Sequence, residues 1–339
     1  MASFDRRTLV RISQMALLLT LTVILLGAWT RLRDAGLGCP DWPTCYGHLT
    51  VPSTPESLAR ASELFPGQQV VPAKAWPETI HRYFASSIGL VILLLVGWMF
   101  WRRREAEMPW RHGVFLLALV CLQGAFGALT VTEQLYPPVV TGHLLLGFST
   151  LTVLFLLHLR LRRAFPRTGD WRMARFTRLA MLALAVVVLQ IVLGGWTASN
   201  YAATVCTDLP ICQPGWPQLL QWREAFSLTH VNDASYEFAP HLSAAAKVTI
   251  HVAHRFGAML VIVTLLLLAV QLARHAQAIR YRLFACGIVL ALLLQVLLGL
   301  ANVSFQLPLW NAVAHNVWAA VLLQILVALI YALKKEKHT

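Results

Sequence analysis

Residues 77–101 read PETIHRYFASSIGLVILLLVGWMFW, and residues 249–268 read TIHVAHRFGAMLVIVTLLLL. In both stretches a histidine–arginine pair opens a run apolar enough to cross a bilayer. His254-Arg255 repeats His81-Arg82, and His251 stands where Glu78 stood. Ionisable groups at the mouth of a membrane helix are costly and point to function.

The rest of the chain fits that setting. Of its 339 residues 58% are hydrophobic and 13% charged, about half the charged share of a soluble domain. The mean hydropathy is +0.62. Eight apolar runs lie near 12–30, 81–101, 112–131, 139–160, 176–197, 248–272, 281–302 and 311–333. Each is long enough for a hydrocarbon core of about 30 Å. The expected fold is therefore an all-α polytopic membrane protein with eight transmembrane helices. A membrane β-barrel would show alternating segments of about 10 residues instead. The first run, MALLLTLTVILLGAW, follows Arg6, Arg7 and Arg11 but ends in TRLRDAGLG, not in a small-residue cleavage site. It is expected to stay as a membrane helix.

The net charge is +13. The basic residues cluster between apolar runs, which points to anionic lipid and not to nucleic acid. If both termini are cytoplasmic, twenty of the 28 Lys and Arg fall on the inner side, among them Arg102–Arg104, seven between Arg160 and Arg178, and Lys334, Lys335 and Lys337. Positive charge stays inside, so N and C termini are expected in the cytoplasm. The long loops near 31–80 and 198–247 are then expected on the outer side. Each carries two cysteines, Cys39 and Cys45 in GLGCPDWPTCYG, Cys206 and Cys212 in VCTDLPICQPGW. On an oxidising side disulfides persist, and Cys39-Cys45 and Cys206-Cys212 are the expected pairs. Metal binding is the rival reading, but neither pair has a second pair or ligand set beside it. Cys121 and Cys286 lie inside spans as small apolar residues.

The chain repeats itself. Trp29 to Trp196, Cys39 to Cys206 and Cys45 to Cys212 share an offset of 167 residues; His81 to His254 is 173, and Gln123 to Gln295, Gly127 to Gly299 and His143 to His315 are 172. One change in loop length accounts for the difference. The helices are expected as two tandem pseudo-symmetric four-helix bundles, 1–165 and 166–339, related by an axis along the membrane normal. Gln123, Gln190 and Gln295 each precede a glycine by four residues (Gly127, Gly194, Gly299). Close helix packing is the plain role for these glycines; room for a large flat ligand is the other.

Of twelve histidines, His48, His230 and His241 fall in outer loops, His112, His275 and His338 in cytoplasmic segments, and His158 beside Arg160 at a helix end. Four remain. His81 and His254 open helices, and His143 (VVTGHLLLG) and His315 (NAVAHNVWA) lie about one turn into theirs. Two imidazoles facing each other across a bundle are what a six-coordinate haem iron requires. Zinc fits less well, because no third protein ligand is supplied. Arg82 and Arg255 could pair with haem propionates or simply snorkel to the interface. Glu78, three residues before His81, could take protons beside one haem or satisfy a helix N-terminus.

Together GLGCPDWPTC, ETIHR, TGHLLLG, IHVAHRFGA and AHNVWAA resemble the haem A synthase family over essentially the whole chain. The resemblance implies a membrane oxidoreductase that converts a porphyrin methyl of haem O to the formyl of haem A, for terminal cytochrome oxidase, in the bacterial inner membrane. It implies that Glu78 is the functional acid and that His81 and His143 bracket substrate haem O. His254 and His315 would ligate the iron of a resident haem b, and the cysteine pairs would be redox-active or structural. A haem O synthase (protohaem farnesyltransferase) and an electron acceptor are expected partners, and a homo-oligomer is compatible with the sequence. The alternative is a dihaem cytochrome b that only relays electrons. His143 and His158 would suit its same-helix stacking, but the second span offers no partner near position 95. A transporter would want polar residues or broken helices at mid-membrane, and mid-span charges are absent.

Overall fold

The computed structural model describes residues 3–229 and 235–336; His230, Lys337 and His338 lie outside them. Among the described residues the regular structure is all helical: α1 (Ser3–Leu32), α2 (Pro55–Leu64), α3 (Pro72–Trp101), α4 (Trp110–Thr132), α5 (Pro137–Leu161), α6 (Thr177–Ser199), the single turn α7 (Trp222–Ala225), α8 (Ala244–His275), α9 (Ile279–Ser304) and α10 (Leu309–Lys335). Eight of these are long and apolar enough to cross a membrane, at the eight places the hydropathy marks. The shortest has 23 residues, about 35 Å of helix.

Lipid-type solvation is visible in the side chains. Leu90, Leu94, Val263 and Leu283 are largely exposed, which water would penalise and hydrocarbon would not. Hydroxyls inside the spans bond back to their own helices: Thr20 to the Ala16 carbonyl at 2.7 Å, Thr197 to Leu193 at 2.7 Å and Thr264 to Leu260 at 2.6 Å. In hydrocarbon no water could satisfy them.

Two helices begin well before the apolar runs do. α3 starts at Pro72, so His81 sits about two and a half turns inside it, and Glu78 lies within the helix. Pro72 takes the first helical position, where its missing N–H costs nothing. Pro77 follows inside the helix, and its carbonyl accepts from Thr30 Oγ1 of α1 at 3.1 Å. α8 starts at Ala244, capped by Ser243, whose Oγ accepts from Ala246 N at 3.1 Å. Glu78 is thus no helix-terminal acid, and the dipole explanation for it falls.

The chain divides into two compact units, one of Met1–Leu151 with Leu228–His241, the other of Thr152–Ser227 with Leu242–Thr339. In the first, α3 packs between α1 and α4; in the second, α6, α8, α9 and α10 pack on one another. Helix ends match between the units. After α1, Asp34 takes φ 50° and Ala35 N donates to Thr30 O; after α6, Tyr201 takes φ 51° and Ala202 N donates to Thr197 O. Gln134-Leu135 and Gln306-Leu307 end α4 and α9 with the same left-handed pair. These turns reverse the chain so that each next helix returns alongside.

Candidate functional site

Each unit brings two histidines together. His143 lies within electrostatic reach of His81, and His315 of His254. Every one of the four rings rests against a glycine on a neighbouring helix. A Cβ at Gly27 would stand 2.9 Å from His81 Cε1; at Gly127, 3.2 Å from His143; at Gly194, 3.2 Å from His254; at Gly299, 3.3 Å from His315. Real Cβ atoms rarely come so close, so the glycines make room for imidazoles. Gly127, Gly194 and Gly299 stood out by their glutamines. Gly27 did not, since Val23 precedes it by four residues; its offset of 167 to Gly194 was the signal.

The glutamines reach the same rings. Gln123 Nε2 is 3.5 Å from His143 Nε2, Gln295 Nε2 3.3 Å from His315 Nε2, and Gln190 Nε2 3.1 Å from His254 Nδ1. Nδ1 of His81, His143 and His315 is buried with no hydrogen-bond partner. In a metal-bound imidazole one nitrogen binds the metal and the other is held by a neighbouring group. The carboxamide oxygens of Gln123, Gln190 and Gln295 are also buried without partners. Turning an amide over sets that oxygen against a ring N–H, the usual second contact of such an imidazole.

The two arginines hold the cysteine loops. Arg82 donates to the carbonyls of Asp41 (2.8 Å), Thr44 (2.5 Å) and Pro43 (3.5 Å). Arg255 donates to Asp208 (2.5 Å), Ile211 (2.7 Å) and Pro210 (3.5 Å), the same three positions 167 residues on. Both loops are closed by disulfides, Cys39–Cys45 with Cα atoms 4.8 Å apart and Cys206–Cys212 at 4.7 Å. Cys121 and Cys286 are free thiols on exposed helix faces.

The units then diverge. Glu78 is buried, pairs with Arg82, and accepts from Cys39 N at 2.9 Å. Its position is held in the second unit by His251, also buried, with Nδ1 unpartnered. Lacking an acid, Arg255 turns its other arm to the Cys206 carbonyl at 2.7 Å, and its Nε is left buried without an acceptor. The Glu78 charge reaches the loop: burial first, then Glu78 and Asp41, hold the Tyr46 hydroxyl above its ordinary pKa.

Arg255→Ala should loosen the second loop. The side chain of an arginine only 8% exposed would vanish from four carbonyls, and one unsatisfied buried acceptor costs about 1–3 kcal/mol. Faster proteolysis between 205 and 225 is the expected result, with Arg255→Lys a partial rescue because one ammonium cannot span the set. Unchanged cleavage would show that the disulfide alone holds the loop.

Similarity to known proteins runs the length of the chain. A family model described as cytochrome oxidase assembly protein (COX15-CtaA) matches residues 11–327. The haem A synthase of Shewanella oneidensis is 46% identical over 320 residues, covering 94% of this chain and 95% of that one. Those of Sphingopyxis alaskensis and Erythrobacter litoralis are each 30% identical, covering 94% and 90% of this chain and 90% of each of theirs. On this full-length match, the chain belongs to the haem A synthase family of cytochrome oxidase assembly proteins.

Proposed function

We propose that the protein oxidises one porphyrin methyl of haem O to the formyl of haem A. The observation that carries this is an imidazole pair in each unit with only one pair beside a buried acid, Glu78. His81 and His143 would hold the substrate; His254 and His315 would hold a resident haem b. The unpartnered ring nitrogens, the glycine-made room and the orphaned Arg255 Nε suit a flat macrocycle bearing carboxylates. Matched offsets, helix ends and arginine clamps support a tandem origin for 1–165 and 166–339, with the reaction assigned to the first half.

The conversion of CH₃ and one H₂O to CHO releases four protons and four electrons. It divides into two hydroxylations, each adding one water's oxygen and releasing two protons and two electrons, with water lost from the resulting gem-diol. A resident haem b supplies a one-electron exit when bound. Glu78 is the acid positioned to take protons, three residues from His81 on the same helix face. Arg82 holds the carboxylate in place, and the Cys39–Cys45 loop covers it through the Cys39 N–H.

The Lys/Arg bias supports cytoplasmic termini and outward cysteine loops in a bacterial inner membrane. A membrane prenyltransferase that makes haem O is the expected supplier, and an electron acceptor must take the electrons onward. The test is co-expression with a haem O-producing enzyme, followed by pigment extraction. Haem A should appear; haem O and protohaem alone would overturn the reading in favour of an electron relay.

A further inference from the structure

Three of the four histidines have a glutamine at the ring and the fourth has none. The place that Gln123 and Gln295 occupy against His143 and His315 is taken against His81 by Val23: the backbone carbonyls of Gln123, Gln295 and Val23 each face the corresponding ring. Gln190, 167 residues after Val23, lays its amide along His254, with contacts of 3.1 and 3.4 Å to the two ring nitrogens and 3.0 Å to the His254 carbonyl. Room for that amide comes from Gly257, where a Cβ would meet Gln190 Oε1. The equivalent position in the first unit is Phe84. Valine and phenylalanine together replace glutamine and glycine, so both the amide and the room for it are missing at His81.

We propose that Gln123, Gln190 and Gln295 are positioning residues that fix three of the imidazoles, and that His81 is the one axial ligand built to turn away from its iron. This rests on the axial-ligand assignment above. A ring held by a carboxamide must break that contact to rotate, whereas the His81 ring, beside Gly27 and the Val23 carbonyl, has no glutamine amide on it. The face of the substrate that opens is then the face beside Glu78, which lies one turn before His81. The second unit, locked on both sides, would keep its haem six-coordinate and confined to electron transfer.

The test reads carbon monoxide binding to the dithionite-reduced, purified full-length protein under anaerobic conditions, not turnover. Each pocket is read alone by emptying the other with His81→Ala or His254→Ala. The first pocket, loaded with haem O, should bind carbon monoxide, and the second should resist it. Gln190→Val should raise binding at the second pocket about tenfold or more, the scale at which partners behind metal ligands act. Val23→Gln with Phe84→Gly should lower it at the first by a similar factor. Equal reactivity of the two wild-type pockets would overturn the inference. So would a Gln190→Val protein that keeps its six-coordinate spectrum and stays inert. Absence of bound haem from the parent protein would instead overturn the ligand assignment itself.

Discussion

Glu78→Gln is expected to cut haem A formation by about a hundredfold or more, the range that a positioned proton acceptor contributes, while haem O remains bound in the first unit. The substitution is nearly isosteric. Its carboxamide oxygen can still accept from Cys39 N, which Glu78 now does at 2.9 Å, so the disulfide loop keeps its anchor. Arg82 keeps its carbonyls at Asp41 and Thr44. What disappears is the group able to take a proton. Glu78→Asp should be less damaging, because the charge survives on a shorter arm. The measurement is the ratio of haem A to haem O in extracted pigment, beside total haem per protein. If Glu78→Gln makes haem A at the parental rate, the acid is only a clamp for the loop, and the proton acceptor lies elsewhere.

That distinction matters because Glu78 does two jobs at once. It is buried, bonded to the backbone of a disulfide cysteine and paired with the arginine that gathers the loop carbonyls. The second unit shows that a loop of this kind can be held without an acid, since Arg255 reaches the Cys206 carbonyl directly. An acid was therefore not required by the architecture. Its presence in one unit only is what ties it to the chemistry proposed for that unit.

Hydropathy alone located all eight spans, because composition and length decide what can cross hydrocarbon. It misplaced where α3 and α8 begin. Apolarity marks the edge of the hydrocarbon, not the end of the helix, and PAKAWPET is helical although polar. The equivalence of His81 with His254, and of His143 with His315, could be read from offsets, since a duplicated pair is hard to reach by chance. The use of Arg82 and Arg255 could not. Loop carbonyls leave no trace in side-chain identity: the sequence offered propionates or the membrane interface for both arginines, and the structure adds contacts to their own loops. Gly27 was hidden for a related reason: its partner pattern was broken at Val23, the substitution that separates His81 from the other three.

His254→Ala is expected to strip the resident haem b, lowering its affinity by about a hundredfold at least, because loss of a ligand must exceed the 10–100-fold that loss of a ligand's partner typically costs. His315 would be left with an iron bound on one side only. Gln190, whose amide now spans the His254 ring at 3.1 and 3.4 Å, would face an empty slot lined by Gly194 and Gly257. The fold should tolerate this. Arg255 still ties the Cys206–Cys212 loop through Cys206, Asp208 and Ile211, and α8 remains capped by Ser243. His81→Ala is the paired control, since it should spare the resident haem and remove retention of haem O. Haem b per protein, measured as the pyridine haemochrome after purification, separates the two. Full haem b retention in His254→Ala, or its loss in His81→Ala instead, would reverse the assignment of the two units, and with it the direction in which electrons leave the substrate.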